Sequence, residues 1–283
     1  MASVLKFVEG KSGTIYPSRT ISSAGRAFDS HSRGRRFEPC IVHNLKTLFV
    51  AFFVGFILPL IISAPQVNQS LITSPTPTPS PTPIPSLIYI ENVPFVSQAP
   101  FGDWKDPRQQ DGCEEAAALI AVSWARKQEL NSSIALEQII SMASYQTDNF
   151  DGFTDTSAQD TQERIIRGYL KHFSSEVITV KVSQDLIYPL SLGKLIIVPT
   201  NGRLLNNPNF TAGGPERHNL VIRGYDSIKK EFITNDPGTR KGENYRYSED
   251  VLFNAIRDYP TGEHLPITII IKTAILVSPD IGS

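Results

Sequence analysis

The sequence predicts an α+β domain in which helices come first and a mostly antiparallel sheet follows them. Three observations carry that expectation. Helix-forming runs crowd residues 113–172, and β-branched runs bounded by turn residues crowd residues 194–276. Between the runs at 218–226 and 231–236 only a few residues intervene, a length that closes a hairpin and cannot hold a parallel crossover.

Each element has its own local reason. From Cys113 to about Gln128 there is no Gly or Pro, and Ala117, Ile120, Ala121 and Trp124 recur at helical spacing, giving one apolar face. A second helix is expected over Ile134–Tyr145 with Ser133 as its N-cap. A third is expected over Ala158–His172, where "DTQERIIRGYLKHF" repeats apolar residues at i, i+3 and i+4. The strands follow at "KLIIVPT" (194–200), "HNLVIRGYD" (218–226), "EFITND" (231–236) and "PITIIIKTAIL" (266–276). Ahead of the last of these, Ser248 opens a short helix, "EDVLFNAIRDY".

This domain, residues 88–283, forms the larger part of a chain of 283 residues. Upstream, Leu45 to Ser63 carries one charge, Lys46, and is long enough to cross a bilayer core, which takes roughly 20 apolar residues. We read residues 44–64 as a single transmembrane signal anchor, with a cleaved signal as the alternative. Eight basic side chains from Lys6 to Lys46 precede or open the segment, and none follows it before Lys105. Basic residues stay inside, so the N-terminus is expected in the cytoplasm and the domain outside it.

Residues 65–87 form a linker in which Pro recurs at every second position from 75 to 85, an extended polyproline spacer. Residues 1–43 lack apolar periodicity and read as a disordered tail. The net charge of −1, with no basic, aromatic-interleaved run, argues against nucleic acid as a partner.

Chemistry enters at "RQQDGCEEAAALIAVSW". Cys40 lies on the cytoplasmic side of the expected anchor and Cys113 beyond it, so the two cannot pair. Cys113 stands where a helix begins, and there the macrodipole and unpaired backbone N–H groups lower a thiol pKa and can hold an oxyanion. The alternative is a small packed filler residue.

A nucleophilic cysteine needs a base, and the base needs an orienting acceptor. His172 ends a helix and His264 sits in a polar loop, whereas His218 opens an apolar strand beside the Gly-rich "TAGGPER". Asp236 ends the next strand. In an antiparallel hairpin the start of one strand lies beside the end of the next, so His218 and Asp236 are expected to be neighbours. Read alone, Asp236 is equally a turn residue before Pro-Gly. There is no His, Cys and acid cluster at metal-ligand spacing, and no metal or other cofactor is expected.

Three stretches, "VPFVSQAP...RQQDGCEEAAALIAVSW", "GGPERHNLVIRGYD" and "FITNDPGTRKGENYRYS", appear in that order. Together they resemble, over roughly residues 92–260, the bacteriocin-processing (double-glycine) peptidase-like family of papain-fold cysteine peptidases. The resemblance implies a papain-like fold with Cys113 as nucleophile, His218 as general base and then acid, and Asp236 as its orienter. It also implies an upstream Gln that stabilises the oxyanion. Gln98, in "VPFVSQ", fits that role better than Gln109 or Gln110, because the stretch is similar to the one leading into the site of stand-alone members.

Transporter-linked members carry a nucleotide-binding domain, which has no counterpart here. The expectation is therefore a membrane-anchored, extracytoplasmic cysteine peptidase acting on secreted, surface or cell-wall peptides. The alternatives are a catalytically inactive tethered peptide-binding module and an acyltransferase using the same three residues.

Overall fold

The computed structural model describes residues 85–262 and 266–280. The expected cytoplasmic tail, the anchor, nearly all of the linker and His264 lie outside the described residues, and no described helix is long and apolar enough to cross a membrane. A short strand, β1 (Leu87–Tyr89), opens the described chain. Helices α1 (Pro107–Gln110), α2 (Cys113–Ala125), α3 (Ser132–Phe150) and α4 (Ala158–Asp160) follow, the last running on into a π-helical stretch, Thr161–Tyr169. Then come β2 (Ser175–Thr179), α5 (Gln184–Ser191), β3 (Leu195–Thr200), β4 (His218–Asp226), β5 (Glu231–Asn235), β6 (Tyr245–Ser248), α6 (Glu249–Ala255) and β7 (Thr273–Val277).

Every pairing among these strands is antiparallel, in the order β2-β7-β3-β4-β5-β6. Strand β5 runs along one edge of β4, while β3 and then β1 share the other. β3 and β7 are buried at every residue, and β4 at all but its last. Successive strand side chains point to opposite faces, so these strands are covered on both. The β4–β5 register shifts at Arg223, a bulge. At the next residue, Gly224, a Cβ would lie 2.6 Å from the Ile88 carbonyl oxygen, so only glycine lets β1 close on β4.

Helix α2 lies against β4 and β3 on one side and against α3 on another. All its residues except Trp124 are buried. The single apolar face expected from the sequence is thus a helix enclosed all round, which its alanines permit by letting neighbours approach closely. At its start, a Cβ on Gly112 would lie 2.5 Å from the Arg108 carbonyl oxygen, so the glycine lets α1 turn directly into α2.

Several boundaries differ from the sequence expectation. The N-cap of α3 is Asn131, not Ser133: its Oδ1 accepts from the backbone N–H groups of Ser133 and Ile134, both at 3.0 Å. The expected third helix is wound wider, with the Leu170 N–H bonded 2.8 Å to the Ile165 carbonyl five residues back. The strand expected over 266–276 begins only at Thr273 and runs one residue further, to Val277, and Ile269, Ile270 and Ile271 are 71%, 58% and 53% exposed. β-Branched residues suit a strand, but a strand also needs a partner, and only the last five residues find one, between β2 and β3.

Candidate active site

His218 is the first residue of β4, and Asp236 directly follows the last residue of β5. The register opposes Val221 to Asn235, which sets the start of one strand beside the end of the other. His218 Nε2 lies 2.7 Å from Asp236 Oδ1, and both side chains are buried. The Gly238 N–H donates to the same carboxylate oxygen at 3.0 Å, and the Tyr247 hydroxyl donates to Oδ2 at 2.5 Å. Asn207 Nδ2 in turn donates to the Tyr247 oxygen at 2.6 Å. Burial by itself pushes the Asp236 carboxyl up, but the charge of His218 and the bonds from His218, Tyr247 and Gly238 outweigh it and hold the group below the usual carboxylate range.

The imidazole is fixed on further sides. Phe210 meets it edge-on, with ring centroids 5.3 Å apart and planes at 79°. A Cβ on Gly238 would lie 2.7 Å from His218 Cε1, so glycine at that position leaves room for the ring. Asp236 takes Nε2, which leaves Nδ1 as the other ring nitrogen of a side chain that lines the cleft.

Cys113 and His218 line one cleft of about 830 Å³, together with Gln98, Trp104 and Phe210. Arg240 lines the same cleft, and its guanidinium would lie 1.8 Å from a Cβ on Gly102. Gly102 has a φ of +81°, a left-handed backbone that favours glycine at this position. Cys113 is the first residue of α2, so its own N–H has no partner within the helix.

The thiol environment corrects the expectation of a helix terminus that lowers the thiol pKa. Burial pushes the Cys113 thiol up, the Glu114 charge pushes it further, and a hydrogen bond from the Asn219 backbone opposes them only in part. The S–H donates to Glu114 Oε2 at 3.0 Å. The other Glu114 oxygen accepts from the Tyr259 hydroxyl at 2.7 Å, and Asn219 Nδ2 donates to that hydroxyl oxygen at 2.7 Å. Burial raises Glu114 to about 7. Glu115 is pushed well up by burial and by Glu114, and its Oε1 accepts from Gln146 Nε2 at 2.6 Å.

The three candidate glutamines separate. Gln98 reaches the cleft, with Nε2 donating to the carbonyls of Gln109 (3.1 Å) and Gln110 (2.8 Å) and with Oε1 buried without a hydrogen-bond partner. Gln110 also lines the cleft, whereas Gln109 is buried in α1 and does not. His172 stands apart from the cleft, with Nδ1 3.0 Å from Asp280 Oδ1.

Sequence reasoning missed Tyr247, Asn207, Glu114 and Tyr259. Tyr247 lay within a quoted stretch and Glu114 beside the thiol, but their bonds depend on chain separations of 11 and 145 residues that carry no local pattern. Among the described residues no cluster of His, Cys or acidic side chains could hold a metal. What the cleft brings together is a sulfur at a helix start and an imidazole backed by a buried carboxylate, a set suited to nucleophilic attack on a carbonyl carbon.

Comparison with known proteins adds three findings. Residues 90–259 match the Peptidase_C39 like family, over nearly the same stretch as the sequence resemblance. A crystal structure from Bacillus anthracis, provisionally described as a C39-like peptidase, is 15% identical with a TM-score of 0.44, covering 68% of this chain and 98% of that one. No curated protein matches the chain.

Proposed function

The chain belongs to the Peptidase_C39 like family, and on that premise we propose that it is a cysteine peptidase with Cys113 as its nucleophile. One observation carries this reading: Cys113 and His218 line the same cleft, and the imidazole is fixed through Nε2 by Asp236. His218 Nδ1 takes the sulfur's proton, and the thiolate attacks the substrate carbonyl carbon. The oxyanion is met by the Cys113 N–H and by the side-chain amide of Gln98, which exchanges one of its bonds to the Gln109 and Gln110 carbonyls for the substrate. The imidazolium then protonates the departing amine, and water deprotonated by the same nitrogen hydrolyses the acyl-enzyme. Asp236 keeps the proton on Nε2 throughout, and Tyr247 and Gly238 keep Asp236 in place.

The apolar segment at 44–64 and the basic residues ahead of it support an anchored peptidase whose cleft lies outside the cytoplasm, acting on secreted, surface or cell-wall peptides. One observation favours a second reading. A buried thiol that donates to a carboxylate is also what an inactive tethered peptide-binding module would hold.

Alkylation decides between them. The full-length protein and His218→Ala are titrated with iodoacetamide from about pH 4 to about pH 9, and the modified residue is read by peptide mass. Alkylation of Cys113 in the native protein well below pH 8, lost or shifted upward in the variant, is the expected result. A thiol inert until the protein unfolds sinks the peptidase reading in favour of the binding module.

A further inference from the structure

We propose that Glu114 is a second proton partner of Cys113, so that a carboxyl and an imidazole together decide whether the sulfur is thiol or thiolate. The proposal rests on the cysteine-peptidase reading and goes beyond its three residues and Gln98.

Adjacent residues on a helix do not normally face each other. Here the Glu114 carboxyl folds back to the sulfur, with Oε2 3.0 Å from Sγ, while Tyr259 holds Oε1 at 2.7 Å. Tyr259 is itself fixed by Asn219, the residue after His218, whose backbone also bonds to the sulfur. One chain of contacts thus runs from the start of β4 through Tyr259 and Glu114 back to Sγ, and Glu114 is only 1% exposed. The titratable groups that act on it are Cys113 beside it, Tyr259, and Asp155, whose negative charge pushes the Glu114 carboxyl up; Glu115, the next residue, is itself pushed up by Glu114. Asp155 in turn pairs at 3.7 Å with Arg217, whose guanidinium lies 5.9 Å from the Tyr259 ring centroid.

The two protonation states of Glu114 act oppositely on the sulfur. Ionised, the carboxylate can only accept, so it holds the S–H as donor, and a thiolate formed by proton transfer to His218 would face a negative charge at contact distance. Protonated, the carboxyl becomes a donor and stabilises the thiolate left when the sulfur's proton has moved to His218 Nδ1. A direct transfer is balanced as well: the proton passes from Sγ to Oε2, leaving thiolate beside neutral carboxyl with no change in total charge. Glu114 is poised near neutrality by burial, so this change of role falls within the working range of a peptidase. The thiolate–imidazolium pair is accordingly favoured below about pH 7 and loses population as pH rises through that value.

The test is the rate of Cys113 alkylation by iodoacetamide, measured from about pH 5 to about pH 9 on the full-length wild type, Glu114→Gln and Tyr259→Phe. Gln keeps a donor beside the sulfur and never carries charge. Its rate relative to wild type is expected to be near unity below about pH 6 and about tenfold higher by about pH 8, the size of one pKa unit. Tyr259→Phe removes a donor to the ionised carboxylate, so the wild-type break moves to higher pH. A Glu114→Gln ratio that stays constant with pH overturns the proposal and leaves Glu114 a structural side chain. Should Glu114→Gln fail to fold, an unmoved break in Tyr259→Phe overturns it on its own. A reactive Cys113 with a pH-independent ratio sinks only this proposal, whereas a Cys113 inert in every chain removes the peptidase reading and this one with it.

Discussion

Asp236 stays ionised in a place that should discharge it. It is fully buried, and what keeps its charge is the imidazole on one oxygen together with the Tyr247 hydroxyl and the Gly238 N–H. Because its folded pKa is depressed, the stability it contributes is present above the unfolded value, about 3.9, and is lost as pH falls through the folded one. The denaturation midpoints of wild type and Asp236→Asn should therefore lie well apart at neutral pH and converge in acid. Glu115 titrates with the opposite sign. Its folded pKa is raised, so stability is lost as pH rises above the unfolded value, about 4.3. Glu115→Gln, which preserves the acceptor for Gln146, is expected to stabilise the protein by about 1–3 kcal/mol near pH 8 and by little near pH 4, read from urea unfolding at both values. Gly238→Ala pushes a methyl group into His218 Cε1, and Cys113 alkylation near pH 7 should slow by about tenfold or more while the melting temperature changes by only a few degrees.

Helix α2 carries Cys113, Glu114 and Glu115. It is enclosed by the sheet and by α3, so its packing sets both the site and much of the stability. Ile120, on its buried middle turn, should cost about 2–5 kcal/mol when cut to Ala, measured by chemical denaturation. At the exposed start of α3, Asn131→Ala removes a cap with two bonds and should cost about 1 kcal/mol with no effect on the alkylation profile. The contrast separates an element that positions the nucleophile from one that supports it at a distance.

Across the whole molecule, β1 ties the first described residues to the centre of the sheet. Arg223, the bulged residue of β4, is buried, and its guanidinium donates to the Ile90 carbonyl from Nε (3.2 Å) and Nη2 (2.7 Å) and to the Asn244 side chain (3.0 Å) while covering the Tyr89 ring. A chain starting at residue 91 would lose the buried Ile88 and Ile90 and leave that guanidinium short of its acceptor. It should unfold several degrees lower than a chain starting at residue 85, compared by thermal melting.

Much of the fold and the outline of the site were legible locally. The hairpin spacing, the unbroken run after Cys113 and the strand beginning at His218 are patterns of neighbours, and β4 occupies the residues expected of it. The neighbourhood of His218 and Asp236 followed from strand register alone, since antiparallel pairing leaves no other arrangement for a short hairpin. Only the tertiary structure decided the rest. It cut the last strand to the residues that find partners, and it admitted α5 despite its internal Pro189 because Leu186, Ile187 and Leu190 are buried around it. It also reversed the expected state of the thiol. A helix terminus favours a thiolate, but burial and a carboxylate 3.0 Å away favour the protonated sulfur, and that carboxylate is held by the Tyr259 hydroxyl arriving from 145 residues along the chain. Periodicity and spacing are properties of adjacent residues, whereas burial and proton sharing are properties of what the rest of the chain brings alongside them.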